Sequence, residues 1–201
     1  MKIFSFSFFL IFIISNNLID SKTNHESKQY CLVKSYKYSN EFLYSSKYAD
    51  NKFYVNAPSK RRLSTLDQLK WIFEPVEAIT NGYYIKSLTF DKYLCAKNAH
   101  NDILKSNREI SLMSFKSDGS IFNSKCVWIL NDIKNDKYTI KNFYFNELLF
   151  STMSILPSLF SGRKIHTWMN SPKGFTSYFA PSEDQFIWYI YCSKASSFRW
   201  Y

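Results

Sequence analysis

With 201 residues and a formal net charge of +10, the chain is long enough for one domain with a real core once a leader is set aside. Its lysines and arginines are scattered, the densest run being Lys60-Arg61-Arg62. That excludes a dedicated nucleic-acid stripe and leaves a diffuse field that attracts anionic surfaces without specificity.

Residues 1–21 read as a signal peptide. Lys2 precedes an apolar block from Ile3 to Ile14, and the chain turns polar at Ser15-Asn16-Asn17. The block is too short to cross a bilayer, which takes about 20 apolar residues. No later stretch would anchor the protein, so a secreted, extracellular product without a transmembrane anchor is expected, cleaved between Ser15 and Lys22. Export to an oxidising compartment makes Cys31, Cys95, Cys126 and Cys192 candidates for disulfides. No two of them fall at C-x-x-C spacing, so a zinc site is not expected and no metal or cofactor is assigned.

From Gln29 onward the chain is a series of short β-branched and aromatic runs bounded by turn formers, the signature of strands. The first group runs through Leu32-Val33-Lys34-Ser35, Phe42-Leu43-Tyr44-Ser45, Lys52-Phe53-Tyr54-Val55 and Arg62-Leu63-Ser64-Thr65-Leu66 to Trp71-Ile72-Phe73. A second group repeats the order with Tyr84-Ile85-Lys86-Ser87, Tyr93-Leu94-Cys95-Ala96, Arg108 to Leu112 and Trp128-Ile129-Leu130. A third gives Thr139 to Asn142, Leu148 to Ser151, Arg163 to Thr167 and Trp188-Tyr189-Ile190. In this matching Arg61 to Thr65 is the counterpart of Arg108 to Leu112. The tryptophans stand 57 and 60 residues apart.

Self-similarity at a fixed period decides the fold class. Three blades are too few for a propeller of roughly four to eight. Three units of about four strands describe an all-β, β-trefoil domain over residues 29–193, a six-stranded barrel capped by three hairpins, followed by a tail at 194–201. Val33, Ile85 and Ile140 then form one core layer, Leu43, Leu94 and Leu149 a second, and Trp71, Trp128 and Trp188 a third. Lys34, Lys86 and Lys141 point outward by strand alternation. The four glycines, Gly82 among them, fall at turns, where a positive φ is tolerated. Closure of the barrel brings the first and last strands together, which predicts Cys31–Cys192, and Cys95–Cys126 within the second unit.

The units Trp71-Ile72-Phe73, Tyr84-Ile85-Lys86-Ser87 and Tyr93-Leu94 resemble the repeats of ricin-B-type lectins and fascin-like domains, and those of secreted insect trefoil proteins. The resemblance covers residues 29 to 193 and implies a glycan-binding trefoil. The ricin pattern places an aspartate shortly after the cysteine of the second strand, whereas Cys95 is followed by Ala96-Lys97-Asn98. Its glutamine-x-tryptophan motif is shifted to Gln68-Leu69-Lys70-Trp71 and Gln185-Phe186-Ile187-Trp188 and is missing before Trp128. The four cysteines also match Kunitz-type inhibitors, without their N-terminal motif.

The residues that the copies do not share lie in the third unit. Thr152 to Gly162 carries Ile155, Leu156, Leu159 and Phe160, and Asn170 to Ser182 carries Phe175, Tyr178 and Phe179. With Arg163, Lys164, His166 and Trp168, the residues Phe175 and Tyr178 make the candidate ligand site: aromatics for stacking on sugars, with basic groups beside them. His25, His100 and His166 lack a carboxylate at catalytic spacing, and no enzyme is expected. The expected role is a monomeric binding protein for a glycan or glycoprotein. The alternatives are a protein partner or protease engaged through the two loops, and a basic, heparin-binding signalling trefoil. No specific nucleic-acid partner is expected.

Overall fold

The computed structural model describes residues 29–39, 41–47, 53–57, 66–100, 107–114, 123–152, 163–169 and 181–193. The expected leader and tail, both third-unit loops apart from Thr152, Pro181 and Ser182, the side chains of Arg163 and Lys164, and the candidates Phe175 and Tyr178 lie outside the described residues.

The strands run β1 (Tyr30–Ser35), β2 (Tyr44–Lys47), β3 (Phe53–Ala57), β4 (Trp71–Pro75), β5 (Gly82–Ser87) and β6 (Lys92–His100). They continue as β7 (Asn107–Met113), β8 (Val127–Lys134), β9 (Lys137–Asn142), β10 (Glu147–Ser151), β11 (Arg163–Met169) and β12 (Ile187–Ser193). Six of them close a barrel by antiparallel pairing in the cycle β1, β4, β5, β8, β9, β12 and back to β1. Closure leaves no barrel strand with an open edge. The other six form hairpins β2–β3, β6–β7 and β10–β11, whose second strands pair with one another in a triangle over one end.

Alternation along the strands sends every second side chain inward. The nine residues of the three expected layers are all fully buried. Each tryptophan makes the same bond. The indole N–H donates to the Leu43 carbonyl from Trp71 at 2.9 Å, to Leu94 from Trp128 at 2.8 Å and to Leu149 from Trp188 at 3.1 Å. A large ring therefore enters the core without leaving its polar atom unpaired. Ahead of each tryptophan sits a short 3-10 turn, at Leu66–Leu69, Ser124–Cys126 and Glu183–Phe186.

Buried Ser35, Ser87 and Asn142 close the first hairpin of each group by accepting the backbone N–H three residues on, from Tyr38, Phe90 and Phe145 at 3.2, 3.4 and 3.1 Å. Short polar side chains do this well because they mimic a backbone acceptor. The disulfides join Cys31 to Cys192 and Cys95 to Cys126, the pairing that barrel closure predicts.

Two expectations change. The strand that takes the place of β7 in the first group is β3, since Phe53–Ala57 pairs with both β7 and β11. Residues 61–65, matched to it by their arginine-led pattern, lie outside the described residues. At Gly82 the need is space. A Cβ there would stand 2.6 Å from Ile79 Cγ2, while the positive φ of that turn falls on Asn81, at 55°.

Candidate functional site

Strand β11 runs between β10 and β7, so residues from both neighbours reach its side chains. Thr167 and Ile165 are buried, and alternation turns His166 and Trp168 to the opposite face, where both are half-buried. The structure brings these two candidates together on Phe150, directly across from His166 in the β10–β11 register. Their rings meet it edge-on, His166 at 6.3 Å and Trp168 at 5.6 Å between centroids. Phe150 is itself buried and backed by Phe186 at 5.7 Å. Edge-on rings on a buried support hold the two exposed edges in a fixed relation.

The polar half of the site comes from β7. Asn107 lies opposite Trp168 and Glu109 opposite His166. His166 Nδ1 donates to Asn107 Oδ1 at 3.1 Å, which sets the imidazole plane. Glu109 pairs with Lys97 at 2.6 Å on the exposed side.

Beneath this face lies a buried ion pair. Arg108 Nε stands 2.8 Å from Glu147 Oε1, and the guanidinium carbon is 3.8 Å from the centre of the Phe145 ring. The Thr167 hydroxyl donates to the other Glu147 oxygen, and Arg108 also donates to the Asn98 carbonyl. Glu147 is almost wholly buried, and its charge is tolerated because the arginine and the hydroxyl replace its water. The cluster ties β7, β10 and β11 together under the His166–Trp168 face. It is a support.

The glutamines of the shifted motif also build structure. Buried Gln185 donates from Nε2 to the Ser151 carbonyl at 2.9 Å and accepts the Ser182 N–H at 2.9 Å. Gln68 accepts the Tyr44 hydroxyl. Lys86, expected to point outward, pairs there with Asp91 at 2.6 Å; burial works against its charge, but the Asp91 bond together with the charges of Tyr93, Asp91 and Glu74 outweighs it and raises the pKa.

Of the predicted site residues, then, His166 and Trp168 meet on one face, and β11 carries the backbone of Arg163 and Lys164. Asn107, Phe150 and Arg108 were not legible as site residues. Asn107 and His166 are 59 residues apart, and only the hairpin triangle brings them together.

No protein-family model matches the chain, and no curated protein matches it. Solved structures do. The chain is similar to the designed three-fold symmetric protein ThreeFoil, at 15% identity and a TM-score of 0.56, over 81% of this chain and 97% of that one. It is similar to the BEL β-trefoil at 14% identity and a TM-score of 0.52, over 84% and 94% of the two chains. The fold is a β-trefoil. A third similar structure is the Macrolepiota procera ricin B-like lectin in complex with lactose, at 13% identity and a TM-score of 0.52, covering 82% of this chain and 95% of the lectin. At such identities the likeness speaks to the fold and leaves function to the site.

Proposed function

We propose that this trefoil is a secreted, non-catalytic, monomeric glycan-binding protein of three sequence repeats, and that it holds its ligand on the hairpin face formed by β7, β10 and β11. The observation that carries this is the pairing of half-buried Trp168 with the Asn107–His166 couple. A sugar ring presents an apolar C–H face and a rim of hydroxyls. An indole supplies the platform for the first, and a fixed amide and imidazole supply polar partners for the second. Two disulfides and the lack, among the described residues, of any helix able to cross a membrane accord with export. That a structural neighbour is a lectin solved with lactose supports the same class of ligand.

A glycan array on the disulfide-bonded protein tests the proposal. Specific binding that free sugar competes away is expected, with Trp168→Ala weakening it at least about tenfold, the scale of losing one good contact. The variant should keep most of its stability, because Trp168 is outside the three-layer core. Binding confined to sulfated glycans and abolished by moderate salt would show unspecific attraction to the +10 surface instead. No loss in Trp168→Ala would remove this face from the reading.

A further inference from the structure

Among the described residues, the three capping hairpins lie over one end of the barrel. At the other, alternation carries Phe73, Leu130 and Ile190 inward two residues beyond the core tryptophans, and Tyr83 and Tyr138 inward two residues before Ile85 and Ile140. These five surround a cleft of about 370 Å³, at the lower end of the range that takes small organic ligands. Asn81, Asp132 and Cys192 complete its lining.

One charged residue lines this mouth among the described residues, and it is an acid in a protein of net charge +10. Asp132 follows Trp128 and Leu130 on the inward face of β8. Directly after it the β8–β9 register slips, and Lys134, Asn135 and Asp136 take positive φ values of 99°, 54° and 58°. Bulges re-aim neighbouring side chains, and here the released Lys134 N–H donates to Asp132 Oδ1 at 2.7 Å. One carboxylate oxygen is thus pinned, and no described residue bonds Oδ2, which faces solvent. The ammonium of Lys137 sits 4.4 Å from the centre of the Tyr36 ring. Burial, then the charges of Asp132, Asp136 and Tyr83, raise the Tyr138 pKa.

We propose that this mouth of the barrel is a second ligand site, for an aryl-alkyl ammonium monocation seated between Tyr83 and Tyr138 with its charge on Asp132. The flat apolar body replaces water on Phe73, Leu130 and Ile190. The ammonium pairs with the Asp132 carboxylate and lies near tyrosine faces that attract cations. A carboxylate ligand of the same shape meets Asp132 as a like charge and is rejected.

The test uses the full chain with disulfides intact and 2-phenylethylammonium as probe, against phenylacetate, which keeps the ring and reverses the charge. Titration calorimetry is expected to give saturable one-to-one binding of the ammonium and at least about tenfold weaker binding of phenylacetate. Asp132→Asn preserves shape and the Lys134 acceptor, and should weaken the ammonium about tenfold, the worth of a charged hydrogen bond. Tyr83 and Tyr138 ring resonances should shift on titration while the Trp168 resonances stay still. Absence of saturable binding, equal binding of phenylacetate, or an unchanged Asp132→Asn affinity would each overturn the proposal. The site is independent of the hairpin face, so either can fail alone.

Discussion

The residue most exposed to a single change is Glu147, a carboxylate sealed under the candidate face with Arg108, Thr167 and the Phe145 ring around it. A buried pair of this kind adds little net stability over apolar residues of the same volume, yet breaking it strands a charge. Glu147→Ala should therefore cost roughly 3–5 kcal/mol in urea unfolding at neutral pH. The double variant Arg108→Met, Glu147→Leu should recover most of that loss. If the double variant were as unstable as the single one, the pair would be more than a mutually neutralised insertion. Asn98 also feels Arg108 through its carbonyl, so the β6–β7 hairpin should loosen along with β10 in the single variant.

At the scale of elements, one contact recurs in three chemistries. The residue after the core leucine on the second strand of each group meets the 3-10 turn that precedes the tryptophan. Tyr44 packs on the cluster of Leu32, Phe42 and Leu69; Cys95 is bonded to Cys126; Phe150 leans on Phe186. The tryptophan bond to the leucine carbonyl is, by contrast, the same each time. Replacing Trp71, Trp128 or Trp188 by phenylalanine leaves a buried carbonyl unpaired and a gap beside it, costing roughly 2–4 kcal/mol. The three single variants should agree within about 1 kcal/mol by chemical denaturation, since unpaired carbonyl and cavity are alike in each. One cheap substitution among them would end the equivalence. These layers were readable in the sequence because the strand period is two and three copies could be laid side by side. Phe53–Ala57 reads as a strand, but its equivalence to β7 and β11 is hidden, because the loops around it differ in length from theirs and the arginine-led pattern at residues 61–65 is the better local match. The Asn107–His166 couple and the Asp132 mouth were invisible for another reason. Each joins residues far apart in the chain, and only closure of the sheet makes them neighbours.

For the molecule as a whole, the two disulfides differ in what they constrain and in who can reach them. Cys31–Cys192 spans 161 residues and joins the first and last strands of the barrel; Cys95–Cys126 spans 31. Loop-closure entropy alone assigns about 5 kcal/mol to the first and about 4 kcal/mol to the second. Access separates them further. Cys192 is exposed at the barrel mouth, while Cys95 and Cys126 are fully buried, and exchange needs a thiolate to approach the sulfur. Under rising dithiothreitol, Cys31–Cys192 should open first. Its loss removes a large part of the roughly 5–15 kcal/mol that holds a domain together, so the barrel should then unfold and expose the second bridge. Alkylation with mass mapping should find Cys31 and Cys192 labelled in early samples and all four cysteines in late ones. A population labelled at Cys95 and Cys126 with Cys31–Cys192 intact would mean that the second unit opens without the barrel, and the single closed sheet could not then be one cooperative structure.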